Sequence, residues 1–342
     1  MKTDLFLALV RSGLYERPLA AGELALARAA TGAEWAEMVK VATEQTVLGQ
    51  LYQAIFLLPS DVKPPEVVVT ELMSRALRGV RSSYAVKAAC ESFTARLKEA
   101  GLSPVVMKGV TVAAYYPHPE FRAAGDIDIY LPAGEMERAA ALLDDSSVSP
   151  DGSRTGHFSG IDVDLHERYF DLHLPASRLP EICTPEATLL MLSSHILKHA
   201  IGPGVGLRQF CDMAMACRAL EGSFDPSHLR EIFRRTGTLR WSRLLFSFLS
   251  DHLDLSDPVF EFEHVSSAPL LRIVLEGGNF GHYAAARAEA IAAGATGNPA
   301  ATRHRKRNTL RRFLRRLPFS LRYAPRETFA TIWGLIRGNL HK

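Results

Sequence analysis

The stretch Gly125-Asp126-Ile127-Asp128-Ile129 constrains the fold of this chain more than any other. Successive side chains of a strand point to opposite faces, so Asp126 and Asp128 project to one side and Ile127 and Ile129 to the other. The isoleucine face needs a core beneath it. The aspartate face sets two carboxylates over one small patch, where like charges repel unless a cation lies between them or one proton is shared. A divalent metal site is the first expectation for this strand.

The flanking sequence supplies the rest of an α+β fold. Residues 1 to about 57 read as helices, with Leu5, Leu9 and Val10 and then Trp35, Met38, Val39 and Ala42 at helical spacing. After Pro59, Pro64 and Pro65 a long helix is expected from Glu66 to Ala100. Its buried stripe would carry Leu72, Ala76, Val80, Tyr84, Phe93 and Leu97, and Gly101 would stop it. Between Leu102 and Phe170 the period shortens. Strands are expected at Val105 to Met107 and Asp126 to Leu131, short helices at Val110 to Tyr116 and Ala133 to Leu143, and a polar, turn-rich stretch from Asp144 to Ser153. Ser159-Gly160 reads as a tight hairpin between Thr155–Phe158 and Ile161–Leu165. The second arm puts Asp162, Asp164 and His166 on one face, with Ile161, Val163 and Leu165 in the core. Helical spacing returns from Pro185. The expected organisation is a small mixed sheet in residues 102–175 between helical regions at 1–101 and 176–300, with a basic tail at 301–342.

Composition narrows the class. Of 342 residues 47% are apolar, enough for a sizeable core, and the net charge is only +3. The excess gathers near the C-terminus, where Arg303, Arg305, Lys306, Arg307, Arg311, Arg312, Arg315 and Arg316 interleave with Leu310, Phe313, Leu314 and Leu317. This spacing predicts an amphipathic cationic helix ending before Pro318, suited to a nucleic-acid backbone, an anionic membrane surface or an acidic partner, or else docked on the body with its arginines solvated or paired. Four cysteines without a CxxC pair argue against a zinc ribbon or disulfide scaffold and for a reducing compartment. No apolar run reaches the roughly 18 residues that span a bilayer, and Leu5 to Val10 reads as a helix start rather than a signal peptide, so the expected location is cytoplasmic.

In combination, Met107-Lys108-Gly109, Tyr116-Pro117, Arg122, Gly125-Asp126-Ile127-Asp128, Asp164-Leu165-His166 and His195-x-x-Lys198-His199 resemble the DNA polymerase β type of nucleotidyltransferase. Within that superfamily they look like an uncharacterised bacterial family with a Lys-Gly turn. The resemblance spans roughly residues 102 to 220, and Lys108-Gly109 stands where a Gly-Ser turn is usual. It implies transfer of a nucleotidyl group from a nucleoside triphosphate to a hydroxyl or phosphate acceptor, with release of pyrophosphate. Two Mg2+ ions, or Mn2+ in their place, are implied at Asp126, Asp128 and Asp164. The acceptor suggested by the resemblance is a small molecule or peptide, in a pocket walled by the helices after Pro185.

Chemistry assigns the residues the same roles. Magnesium takes a few carboxylates plus phosphate oxygens and water, and Asp164 could also accept the acceptor's proton. Lys108 and Gly109, between a strand and a helix start, suit a phosphate, and Arg122 offers a fork of donors, although a plain turn and a solvated arginine explain these residues equally. Gly125 belongs to the same motif. His166, on the face of Asp164, is either a proton-transfer group or a hydrogen-bonding support. His195 and His199 sit four apart with Lys198 between them, and without a zincin glutamate they read as pocket lining or structural hydrogen bonds before zinc ligands. Two rival functions stand beside transfer: a nucleic-acid-directed transferase or RNA-binding protein using the basic tail, and a non-catalytic partner-binding protein on the same fold.

Overall fold

The computed structural model describes residues 2–149, 152–202, 204–256, 263–277 and 314–340, the last seven of them as backbone only. The chain divides into two compact units, Met1–Tyr169 and Phe170–Lys342.

In the first unit four helices, α1 (Thr3–Tyr15), α2 (Ala21–Arg28), α3 (Gly32–Glu44) and α4 (Leu48–Leu57), precede α5 (Glu66–Glu99). Local chemistry sets some of their ends. Thr31 accepts from the backbone N–H of Glu34 while the Glu34 carboxylate accepts from that of Thr31, a reciprocal cap at the start of α3. The sheet has five strands in the order β1-β2-β5-β4-β3, with β1 at Val105–Val106, β2 at Asp126–Tyr130, β3 at Asp144–Val148, β4 at Arg154–Phe158 and β5 at Ile161–His166. It is mixed, since β2 and β5 run parallel and the other neighbours antiparallel. The fold is α+β, as expected.

The apolar face of β2 and β5 is Ile127, Ile129, Val163 and Leu165. It packs against Val86, Cys90, Phe93 and Leu97 of α5 and against Met136, Ala139 and Ala140 of α7 (Met136–Ala140). This layer of helices leaves the opposite face of the sheet to the carboxylates.

Three local expectations need correction. Tyr84 is 59% exposed and Val80 only half-buried, because each four-residue step overshoots a helical turn by about 40° and the stripe drifts away. Ser83 and Val86 take their places on the buried side. The helix expected at Ala133 to Leu143 shortens to α7, since Gly134 (φ +88°) begins a turn closed by Glu135 N–H donating to Pro132 O. The Asp144–Ser153 stretch contains β3, an edge strand whose five residues are all exposed. A strand with no buried face has no apolar alternation to read, and pairing with β4 is what forms it.

Phe93 and Tyr84 make the drift testable. Phe93→Ala, in the centre of the core, is expected to cost about 3–5 kcal/mol of unfolding free energy. Tyr84→Ala should stay within about 0.5 kcal/mol. Denaturant titration of both variants compares them directly.

The second unit contains α8 (Pro185–Ile201), α9 (Leu207–Ala219), α10 (Pro226–Arg235), α11 (Leu239–Leu253), α12 (Ala268–Gly277), a helical segment at 314–323 and a final helix at Pro325–Leu340. Thr184 caps α8 by accepting from Ala187 N–H, with Pro185 at the first helical position. Residues 301–313, and with them most of the basic run, lie outside the described residues. The helix expected to stop before Pro318 runs through it to 323, with Ser320 and Tyr323 on its buried side. Arg316 donates to the carbonyls of Ala200 and Gly202 at the end of α8, so this arginine of the stripe serves as a cap.

Candidate active site

β2 and β5 are adjacent and parallel, in the register Asp126↔Asp162, Asp128↔Asp164 and Tyr130↔His166. Their shared polar face thus aligns three side-by-side pairs. Asp128 is the buried member, 5% exposed, and its Oδ1 accepts from Lys108 Nζ at 2.9 Å while lying 2.9 Å from His166 Nε2. Both partners meet the same oxygen. Burial alone would raise the Asp128 pKa, but the Lys108 charge and the His166 hydrogen bond outweigh it and hold the carboxyl well below the ordinary range. Asp164 goes the other way: burial first, and then the charge of Asp128, push its carboxyl up, with Asp126 adding to the effect. The two neighbouring carboxylates therefore have opposed acidities.

Ligand atoms of Asp128, Asp164 and His166 lie within 4.8 Å of one another, and among the described residues this is the group with metal-ligand geometry. Asp126, half-buried, is two residues earlier on the same face and outside that group. Asp162 is exposed and 3.0 Å from His157 Nε2 on β4, an exposed pair of little energetic weight.

Lys108 and Gly109 form the turn between β1 and the single-turn helix α6 (Val110–Ala113). Gly109 has φ +66° and ψ −107°, a conformation that L side chains avoid, so glycine is required there by the backbone itself. A helix of four residues has little macrodipole, which leaves the Lys108 ammonium as the main positive feature of the turn. Gly125 differs: it is exposed, and a Cβ built on it meets nothing within 4 Å. Gly109→Ala is expected to destabilise the fold by about 1–3 kcal/mol, and Gly125→Ala by less than about 0.5 kcal/mol. Thermal unfolding separates them.

Arg122 is not the solvated loop arginine of the alternative reading. It is 3% exposed, with Nη1 donating to Ala123 O and its own carbonyl accepting from Ser83 Oγ of α5.

In the second unit His195 Nδ1 lies 3.0 Å from Asp171 Oδ2, and Lys198 Nζ donates to Asp171 Oδ1 at 2.8 Å. His199, buried, meets the His195 ring edge-on at 4.4 Å. Asp171, whose N–H donates to Ser194 Oγ, is the residue that sequence reasoning missed here. Its only signal was an acid soon after β5, without periodicity or motif. Among the described residues no three-ligand group includes His195 or His199.

Residues 31–254 match the model of a family described as uncharacterised nucleotidyltransferase. No curated protein and no solved structure matches the chain. Among the described residues no helix is long and apolar enough to cross a membrane.

Proposed function

Because the chain belongs to this uncharacterised nucleotidyltransferase family, we propose that it moves a nucleotidyl group from a nucleoside triphosphate to a hydroxyl or phosphate acceptor, releasing pyrophosphate, with Asp128 and Asp164 holding a divalent cation. The observation that carries this reading is the in-register Asp128↔Asp164 pair, with His166 in the same cluster. The donor set fits the ion. Two carboxylates, one held ionised by Lys108, offer hard oxygen ligands to Mg2+ or Mn2+. When bound, such an ion offsets charge developing on the transferred phosphorus.

The residues divide the remaining work. Asp128 would hold the cation, and its Oδ2 is the oxygen that Lys108 and His166 leave unused. Asp164, with its raised pKa, is the carboxylate suited to take a proton from the acceptor hydroxyl. His166 orients Asp128 if the ion is Mg2+, and can itself ligate if it is Mn2+. Asp126, on the same strand face, is the residue that would help hold a second ion if one binds. Lys108 balances Asp128 here and a phosphate once a cation neutralises that carboxylate, while Gly109 lets the backbone approach the nucleotide.

Incubation with each labelled triphosphate, Mg2+ or Mn2+ and a cell extract, followed by mass spectrometry for nucleotide adducts and an assay for pyrophosphate, tests the reading. An adduct on a small molecule or peptide is the expected outcome. Neither adduct nor pyrophosphate under any condition would overturn it.

A further inference from the structure

The C-terminal helical element of the second unit has two faces of opposite character. Its backbone repeat continues across Ala324, since Ala324 N–H donates to Ser320 O at 2.8 Å and Thr328 N–H donates to Ala324 O at 3.0 Å. The segment at 314–323 and the final helix therefore share one periodicity. Ser320, Tyr323, Ala324, Glu327 and Thr328 recur at helical spacing and are buried. Glu327 is the one acidic side chain in residues 301–342, against twelve Lys and Arg. It is turned inward, where its carboxylate accepts from His173 N–H at 3.2 Å and lies 2.7 Å from His173 Nδ1.

The opposite face repeats the spacing. Arg315, Pro318, Arg322, Arg326, Phe329 and Trp333 follow one another at steps of three or four, and all six are exposed. Phe329 is 62% exposed and Trp333 57%, and the exposed Leu314 and Leu321 run along one edge of the same stripe. Single apolar side chains in water are ordinary. Here four large ones interleave with three arginines along roughly 27 Å of helix, and the only acid of the stretch lies on the other face.

We propose that this face docks on an anionic membrane surface, at the depth of the lipid headgroups. Charge complementarity selects a polyanion, and the apolar residues select the lipid. Phosphate-bearing headgroups take the guanidiniums. The boundary between headgroups and acyl chains takes Leu314, Leu321, Phe329 and Trp333, aromatic rings being favoured at that level. A nucleic-acid backbone would satisfy the arginines and offer the leucines nothing. Because the buried stripe is diametrically opposite, the outward face can meet a plane along its length without the helix being pulled from its seat. The inference stands independently of the transfer reaction.

Sedimentation of the full chain with phosphatidylcholine vesicles, with and without about a third phosphatidylserine, tests it. Binding to the anionic vesicles, much weaker with neutral ones and reduced by salt, is the expected result. Trp333 is a built-in reporter, since the other two tryptophans, Trp35 and Trp241, are buried. Its emission should shift to the blue on binding and be quenched by brominated lipid, and Trp333→Phe should still bind without that signal. Arg322→Gln and Arg326→Gln should each weaken binding by about fivefold, and Phe329→Ser by about tenfold. All three positions are exposed, so the variants are expected to fold, which circular dichroism checks. Affinity indifferent to lipid charge, or unaltered in folded Phe329→Ser and in the folded double arginine variant, would overturn the proposal. Two other occupants have their own signatures. A single-stranded oligonucleotide that quenches Trp333 while vesicles stay unbound would assign the face to nucleic acid, and a dimer in light scattering that shields Trp333 from iodide would assign it to a second copy; either result would overturn the membrane reading.

Discussion

Asp128→Asn is expected to reduce nucleotidyl transfer by about 10³-fold or more while the chain still folds. The magnitude follows from the several kcal/mol of charge stabilisation that a divalent ion supplies, since each 1.36 kcal/mol is worth a factor of ten in rate. Asparagine keeps the shape of the side chain and an oxygen that can accept from Lys108 Nζ and face His166 Nε2, so the local packing survives. What it removes is the buried negative charge. Asp128→Ala goes further and strands the Lys108 ammonium, whose side chain is only 15% exposed, so up to about 3–5 kcal/mol of stability is at risk. Asparagine is the cleaner test for that reason.

The pH dependence has a definite sign. A carboxyl whose folded pKa is depressed contributes stability that is present above its unfolded value and is lost as pH falls through the folded one. Wild type should exceed Asp128→Asn in stability by a constant margin from neutrality down to about pH 5, and the margin should close in acid below the unfolded value of about 3.9. Pyrophosphate release and thermal unfolding across pH read the two effects separately. Retained transfer in Asp128→Asn would remove this carboxylate from the mechanism.

Much of the site was legible because strands are simple. Asp-Ile-Asp and Asp-Val-Asp-Leu-His alternate with period two, so each segment announces both a buried face and a polar one. Their mutual register was not legible. That Asp128 sits beside Asp164 rather than beside Asp162 depends on how β5 docks on β2, which no local pattern states. The same limit explains Lys108: a Lys-Gly turn suggests phosphate, whereas the contact with Asp128 arises from β1 pairing antiparallel to β2 through Val105↔Tyr130 and Val106↔Ile129. Asp171 was invisible for a related reason, since its partners His195 and Lys198 lie 24 and 27 residues away on α8. Tyr84 erred on the side of pattern, a repeat of four taken too far along a helix whose turn is shorter.

Asp164→Asn should separate stability from function most sharply, raising the melting temperature in EDTA while lowering transfer by about 10³-fold or more. Burial and the adjacent charge of Asp128 both raise the Asp164 pKa. A group whose folded pKa is raised contributes stability that is fully present below its unfolded value and lost as pH rises through the folded one. Above its folded value the ionised Asp164 is therefore a liability of the carboxylate pair, and an asparagine in its place would not ionise. A divalent ion binding between the two carboxylates relieves the same repulsion, and binding to the folded chain alone adds about 2.7 kcal/mol at a hundredfold excess over Kd. Wild type should thus gain thermal stability on addition of Mg2+ or Mn2+, and Asp164→Asn should gain little. Calorimetry at about pH 7.5, well above the ordinary carboxylate range, compares both proteins with EDTA and with each metal. A variant that melts below wild type in EDTA, together with a wild type indifferent to metal, would mean that the repulsion is balanced within the protein, with Lys108 serving as a permanent counter-ion, and that the fold binds a partner without performing transfer.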